Sequence, residues 1–363
     1  MNKEFKKMII TIDCRMIDSS GIGSYLRGIL PFLLQTEHNF FLLGNKERLS
    51  SFSFYQNVYI IECNIKPFSL KEIILFPYKI LKQINKTDVF FTPFFNFPEK
   101  INIPIFITIH DIIFPDMREL TSKAGLFIRM YFFRRAYKKA KMIFTVSLFS
   151  KSRIEFHLGN EKPVVVTYNA CNSIFYEYRA KLEKTEKKEN IVFIGNIKKH
   201  KGLDCLLDAF YLAKKEGLPH KLIIIGNRDN FRTADNAITN KINSIGNNEV
   251  IFTGFISDEQ LMQYLGTASL LVQPSLYEGF CLPPLEAMIL GTRTLISDIP
   301  VLKEIYDGFP VTFFKTGNHL DLKDKMLELL LNKENQFLLL NDNLSAKYNF
   351  KNTSAVIMKN ITC

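Results

Sequence analysis

At 363 residues the chain is too long for one ordinary hydrophobic core and suits two domains of roughly 150 residues each, with a cleft between them. A composition of 47% hydrophobic and 23% charged residues excludes a long disordered tail, and a net charge of +11 calls for an acidic partner: nucleic acid, an anionic membrane or a phosphorylated substrate. No zinc finger, aromatic-glycine RNA signature or basic low-complexity arm occurs, so the expectation is no nucleic acid.

The cysteines Cys14, Cys63, Cys171, Cys205, Cys281 and Cys363 are scattered without a C-x-x-C pair. They indicate neither a disulfide framework nor a zinc site and read as reduced thiols of a cytoplasmic protein. The apolar stretch after the N-terminal lysines is broken at Asp13 and Arg15, unlike a signal peptide. No run approaches the roughly 20 apolar residues of a spanning helix, so any membrane contact is expected to be peripheral.

Short β-rich apolar runs alternate with helical patterns throughout, the mark of parallel α/β architecture. The first is a strand over 8–12, then a turn around Ser19, Ser20, Gly21 and Gly23, then a helix from about 25 to 34. Further strands are expected over 40–43, 58–62, 88–92, 105–109 and 142–146, making one open sheet. The stretch 126–141 alternates aromatics with cations at helical spacing, and 66–86 is similar. Such a stripe serves either as the core face of a helix or as a contact with an anionic membrane. A polar stretch over 176–190 reads as a linker. A second series of strands follows over 191–194, 222–225, 250–253, 270–273, 294–297 and 311–314, with helices between them, one over 203–215 and one after Ser257, where Ser257 and Gln260 have capping-box spacing.

The most informative stretch is Gln273-Pro-Ser-Leu-Tyr-Glu-Gly-Phe-Cys-Leu-Pro-Pro-Leu-Glu-Ala-Met288. A strand ends at Pro274, a loop follows, and Pro283 and Pro284 sit where a helix can start. Backbone N–H groups of Gly279, Phe280, Cys281 and Leu282 would then face the crevice beyond the strand's carboxyl end, where donors and helix dipole suit a phosphate. Glu278 and Glu286 flank this anion site, and a carboxylate is a natural bidentate acceptor for adjacent ribose hydroxyls.

The Glu278-to-Glu286 pattern, E-x7-E with a Glu-Gly-Phe-x-Leu-Pro-x-x-Glu core, resembles the retaining glycosyltransferases of family 4, the glycosyl transferases group 1 with GT-B fold. Phe193-Ile-Gly-Asn-Ile-Lys-Lys-His-Lys-Gly-Leu203 is similar to the phosphate loop that opens that family's second domain, and Ile109-His110-Asp111 to the active-site His-Asp of the first. Asp13-x-Arg15 with Gly21-Ile-Gly23 resembles its N-terminal strand and glycine loop. The ending Phe350-Lys-Asn-Thr-Ser-Ala355 resembles a C-terminal helix that crosses back to the first domain. The resemblance implies two Rossmann-like domains facing each other across a cleft: an acceptor domain over 1–175 joined by a helix over about 346–363, a linker over 176–190, and a nucleotide-sugar donor domain over 191–345.

On the resemblance, Glu286 binds the donor ribose, Glu278 holds hydroxyls of the transferred sugar and Lys201 neutralises the diphosphate. Backbone around Phe255 and Ile256 meets the base, His110 reaches the donor sugar, and the Gly21–Gly23 loop lies near the phosphate. The implied reaction is a retaining, metal-independent transfer of a hexose from a nucleotide sugar, with no other cofactor. GDP-mannose is favoured over UDP-sugars, and the implied acceptor is a glycan or lipid-linked oligosaccharide of bacterial O-antigen, capsule or exopolysaccharide synthesis. Such an enzyme, met by anionic lipid through 126–141, would work at the inner face of the cytoplasmic membrane.

Departures from the pattern are specific. Asn196 stands where the phosphate loop usually carries Arg, as in a mannosyl-transferring subgroup with Gly-Asn-x-Lys-x-His-Lys, and Lys198 or Lys199 can supply the missing charge. Asn169-Ala-Cys-Asn172 replaces the usual Asn-Gly-Val-Asp, and no Asp-x-Asp occurs. Two other readings stay open: a non-catalytic nucleotide-sugar-binding protein of the same fold, and a nicotinamide-dependent oxidoreductase, against which Leu26 in place of a third glycine counts.

Overall fold

The computed structural model describes residues 7–182, 187–226, 236–246, 248–331 and 342–363. Contacts divide the chain into one unit of Met1–Ala170 with Tyr348–Cys363 and a second of Cys171–Lys347. No described helix is long and apolar enough to cross a membrane.

The first unit runs β1 (Ile9–Asp13), α1 (Ser20–Leu34), β2 (Asn39–Gly44), β3 (Val58–Glu62), α2 (Leu70–Ile74), α3 (Tyr78–Ile84), β4 (Val89–Thr92), β5 (Ile105–Thr108), α4 (Ile113–Asp116), α5 (Lys123–Lys139), β6 (Met142–Thr145), α6 (Leu148–Leu158) and β7 (Val164–Val166). The strands pair in parallel in the order β3-β2-β1-β4-β5-β6-β7. β4 and β5 are buried at every position, which is why they read as unbroken apolar runs rather than alternating ones. The strand β7 was not expected, because three valines are too short a run to stand out from a loop. The inward side chains of α3 (Leu81, Ile84) and of α5 (Met130, Phe133, Ala136, Tyr137) join one core cluster with the strands, so both helices cover the same face of the sheet.

The second unit runs α7 (Ser173–Lys181), β8 (Lys188–Ile194), α8 (Leu203–Lys215), β9 (Lys221–Ile225), α9 (Asn236–Ile245), β10 (Val250–Gly254), α10 (Asp258–Thr267), β11 (Ala268–Gln273), α11 (Pro283–Ile289), β12 (Arg293–Ser297), α12 (Pro300–Tyr306), β13 (Thr312–Phe314), α13 (His319–Leu331) and α14 (Asp342–Lys347). Its sheet is also parallel, in the order β10-β9-β8-β11-β12-β13. The capping box forms as the spacing requires: Ser257 accepts from the Gln260 backbone, and the Gln260 side chain accepts from the Ser257 N–H.

The chain's last helix, α15 (Phe350–Ile361), belongs to the first unit and packs on α1. Gly28 makes the approach feasible, since a Cβ there would sit 2.1 Å from the Phe350 ring. The Ser354 hydroxyl donates to Ile29 O at 3.2 Å and the Thr353 hydroxyl to Thr167 O at 2.9 Å, anchoring the helix on both sides.

Two local expectations are corrected. The stretch expected as a linker over 176–190 carries most of α7, capped by Asn172, whose side chain accepts from the Ile174 N–H; its positions 183–186 lie outside the described residues. Gly21 and Gly23 lie in the first turn of α1 and not in a loop, because the helix begins at Ser20. At Gly23 the reason for glycine is packing: a Cβ would meet the Ile17 carbonyl oxygen at 2.4 Å, whereas at Gly21 nothing lies within 4 Å.

Candidate functional site

In each sheet the strand order reverses once, between β1 and β4 and between β8 and β11. At such a switch point the connecting loops part in opposite directions and leave a crevice at the strands' carboxyl ends. In the second unit the loops that part are 195–202, after β8, and 274–282, after β11. They contain most of the residues singled out from the sequence.

The two loops are fastened together by backbone. Leu276 N–H donates to His200 O at 2.7 Å. Gly202 has φ +71°, and a Cβ on it would lie 1.9 Å from Pro274 O, so this crossing accepts only glycine. Lys201, on the last turn before α8, therefore points at the other loop by construction. Its Nζ lies 2.7 Å and 2.9 Å from the two carboxylate oxygens of Glu278. Glu278 Oε1 also accepts from Ser275 Oγ at 2.7 Å, and Ser275 Oγ from Gln273 Nε2 at 3.2 Å. Gln273, Ser275 and Glu278 are all buried, and this relay fixes the carboxylate. Sequence reasoning missed the two relay residues; the signal was two polar side chains at the end of an otherwise apolar strand.

The loop after Glu278 holds a strained residue. Cys281 has φ +74°, a conformation that costs a non-glycine residue about 1 kcal/mol or more, and its carbonyl accepts from the buried Tyr306 hydroxyl. Tyr277, Phe280 and Cys281 are buried, whereas Leu282 is partly exposed at the entry to α11. Glu286 follows in the first turn of α11, and its side chain makes no hydrogen bond or ion pair among the described residues. Burial, with Asp258 nearby adding repulsion, pushes its carboxyl up to about 7. The same Asp258 opens α10, which packs on α11, and Ser257 separates it from Phe255 and Ile256. Phe255 is 85% exposed and follows Gly254 at φ +72°.

Asn196, Lys198 and Lys199 are exposed at the mouth of the first loop. His200 is held neutral, its pKa lowered to about 4 by burial and by Lys201. Lys201 is thus the cation that the fold draws partly out of solvent here, and the neighbouring lysines remain exposed.

The other expected residues belong to the first unit. His110 follows β5, and its Nε2 lies 3.0 Å from Pro93 O. A carbonyl only accepts, so Nε2 carries the proton and Nδ1 is left as an acceptor. Burial lowers the ring's pKa to about 4 against the opposing effect of that hydrogen bond, so His110 is neutral at physiological pH. It suits a hydroxyl donor and not the task of a general acid. Tyr25 of α1 meets the ring edge-on at 5.0 Å. At the end of β1, Arg15 is buried between Asp13, at 2.6 Å, and Glu72, at 2.6 Å, and Glu72 also accepts from Phe68 N–H at 2.7 Å. Glu72 was not foreseen; as a lone acid in a basic segment, three residues after Ser69, it carried a readable capping signal.

The family described as glycosyl transferases group 1 matches residues 175–343. An uncharacterized glycosyltransferase of Methanocaldococcus jannaschii is 28% identical over 238 residues, which cover 65% of this chain and 61% of that protein. The O-antigen chain mannosyltransferase RfbU of Salmonella typhimurium is 29% identical over 209 residues, covering 55% of this chain and 53% of that one. The chain thus spans less than two thirds of these relatives' length. Among solved structures, Anabaena HepE in complex with UDP and glucose superposes with a TM-score of 0.72 at 16% identity, over 98% of this chain and 99% of that one. A likeness this extensive establishes the fold as GT-B, in agreement with the two parallel sheets.

Proposed function

Since the chain carries a glycosyl transferases group 1 domain, we propose that it is a retaining, metal-independent glycosyltransferase that moves a hexose from a nucleotide sugar to a glycan or lipid-linked acceptor. The observation that carries this reading is the meeting of Lys201 and Glu278 across the switch point of the second unit, with Glu286 in the first turn of the helix that follows the same loop. Departure of a nucleoside diphosphate from an anomeric carbon builds negative charge on the leaving phosphate and positive charge on the sugar. Lys201 stabilises the first and Glu278 the second, while Glu286 holds the ribose hydroxyls; this is preorganised electrostatic catalysis. Retention by double displacement would need a second carboxylate about 5 Å from the first. Glu278 is instead engaged by Lys201 and Ser275, which favours same-face attack with the leaving phosphate taking the acceptor proton.

The mannosyltransferase RfbU among the relatives supports mannose as the sugar, and so GDP-mannose as donor, although the structural relative HepE holds UDP and glucose. RfbU's description also supports an acceptor of O-antigen type. A basic protein that meets such an acceptor on a lipid carrier would work at the cytoplasmic face of the membrane, in contact with anionic lipid through 126–141. The test is protection against thermal unfolding by GDP, UDP and ADP and their sugars, followed by turnover of the sugar that protects, with and without EDTA. Saturation at a hundred times the dissociation constant stabilises by about 2.7 kcal/mol. Binding without turnover would return the chain to a binding-only role, and a strict magnesium requirement would remove the metal-free mechanism.

A further inference from the structure

The helices α3 and α5 cover one face of the first unit's sheet, and their outward sides share an unusual chemistry. Neither contains an acidic residue: α5 reads KAGLFIRMYFFRRAYKK and α3 YKILKQI. Their solvent sides expose large apolar groups, with Phe127 at 73%, Tyr131 at 58% and Tyr78 at 75%, and Leu75 beside α3 at 69%. In the second unit α8 and α13 mix acids with their bases, and α10 carries Asp258 and Glu259. Apolar side chains interleaved with uncompensated cations are what a helix lying in a lipid headgroup layer presents, whereas a merely solvated face would mix charges of both signs.

A cavity of about 380 Å³ opens on α5 between Phe127, Tyr131, Arg134 and Lys138. Glu99 at its rim is already neutralised by Arg135, at 2.6 Å, and by Lys139. Arg134 and Lys138 make no ion pair among the described residues, so the cavity keeps an excess of positive charge beside two exposed aromatic rings. Buried Arg135, whose Nη1 has no hydrogen-bond partner, stacks over Phe97 at 4.7 Å and holds α5 in place. Beneath the surface, Leu81 and Ile84 of α3 share one core cluster with Phe133 of α5, and Phe133 stacks on Phe95 with ring centroids 4.0 Å apart.

We infer that this face docks on a bilayer of anionic phospholipid, with the Arg134–Lys138 cavity seating a lipid phosphate and Phe127, Tyr131, Leu75 and Tyr78 entering the interface. The inference deepens the membrane contact proposed above by adding α3 and naming the phosphate seat; it does not depend on the identity of the sugar donor.

The test is flotation of the full chain with vesicles of phosphatidylcholine, alone or mixed with phosphatidylglycerol. The mixed vesicles should carry the protein up and the neutral ones should not. At about 1 kcal/mol per cation near an anionic surface, Arg134→Gln with Lys138→Gln should weaken partition about 30-fold. Lys351→Gln with Lys359→Gln removes equal charge from α15, which packs on α1, and should change it little. Phe127→Ser with Tyr131→Ser should lose the binding that persists when salt is raised. Equal losses from the two charge pairs would mean attraction by net charge alone and overturn the proposed face. Release by inorganic phosphate at constant ionic strength would reduce the cavity to a simple anion site and overturn the bilayer as its occupant. Thermal protection by nucleotide sugar, measured on the same variants, separates this outcome from failure of the transferase reading, since no donor residue is altered.

Discussion

Lys201 and Glu278, on loops that leave different strands, form a two-pronged ion pair with Nζ–Oε distances of 2.7 Å and 2.9 Å. Both side chains are largely removed from water, at 19% and 9% exposure, so the pair is strong and any diphosphate must compete with Glu278 for the lysine. Glu278→Gln should therefore tighten binding of the free nucleoside diphosphate, by about three- to tenfold, because a neutral amide holds Lys201 less firmly. Turnover should fall on the order of 100-fold, since the charge facing the developing oxocarbenium is lost. Isothermal titration beside steady-state kinetics reads both numbers. Weaker nucleotide binding in this variant would show that Glu278 contacts the nucleotide itself.

Removing the lysine has the opposite character. Lys201→Ala leaves Glu278 buried with Ser275 as its hydrogen-bonding neighbour, and stranding one member of a buried pair costs about 3 kcal/mol. The variant should lose that much stability in urea unfolding together with nucleotide affinity. Adding Glu278→Gln should restore at least about 1 kcal/mol of the stability, a non-additivity expected only of partners in contact. Strictly additive losses would mean that the pair contributes nothing as a pair.

Much of this site was legible in the sequence because its parts are local. The Gly-Phe-x-Leu-Pro-Pro insert fixes where β11 ends and α11 begins, and Gly202 marks the turn that aims Lys201. The central strands β4, β5, β11 and β12 were legible for a similar reason: buried at every position, they read as apolar runs. What stayed hidden depends on distant partners. Nothing near Lys201 announces that Glu278 will hold it, and nothing near Arg15 announces Glu72, 57 positions away. The boundary at 176–190 misled because a short capped helix can be as polar as a linker when one residue, Phe175, supplies its buried contact.

Glu286 gives a pH signature. Its carboxyl is raised from 4.5 to about 7 by burial and by Asp258, so between those values the unfolded chain is ionised while the folded one still holds the proton. Stability accordingly falls as pH rises from about 4.5 to 7, and the cost, on the order of 3 kcal/mol, is complete above 7. Glu286→Gln should be as stable as wild type near pH 4.5 and more stable at pH 8. If the ionised carboxylate accepts the ribose hydroxyls, nucleotide affinity in the wild type should strengthen as pH rises through 7. The variant should keep only the part of that rise that comes from the diphosphate's own titration. Parallel pH profiles for both proteins would take Glu286 out of the nucleotide site.

Gly21 and Gly23 separate a packing role from a phosphate role. Both lie in the first turn of α1, where alanine favours the helix over glycine by about 0.5–1 kcal/mol. At Gly21 a Cβ meets nothing within 4 Å, so Gly21→Ala should raise the unfolding free energy by up to that amount and leave activity unchanged. At Gly23 a Cβ would lie 2.4 Å from Ile17 O and 3.0 Å from Met16 O, both rigid backbone. The preceding loop must then move, and Arg27, which donates to Ile17 O at 2.6 Å, loses its geometry with it. Gly23→Ala should destabilise the protein by about 1–3 kcal/mol, the usual cost of overpacking. Thermal melts of the two variants beside their rates make the comparison. A stable Gly21→Ala protein with greatly reduced turnover would mean that the exposed start of α1 touches the donor after all, and the glycine there would be kept for close approach to a phosphate.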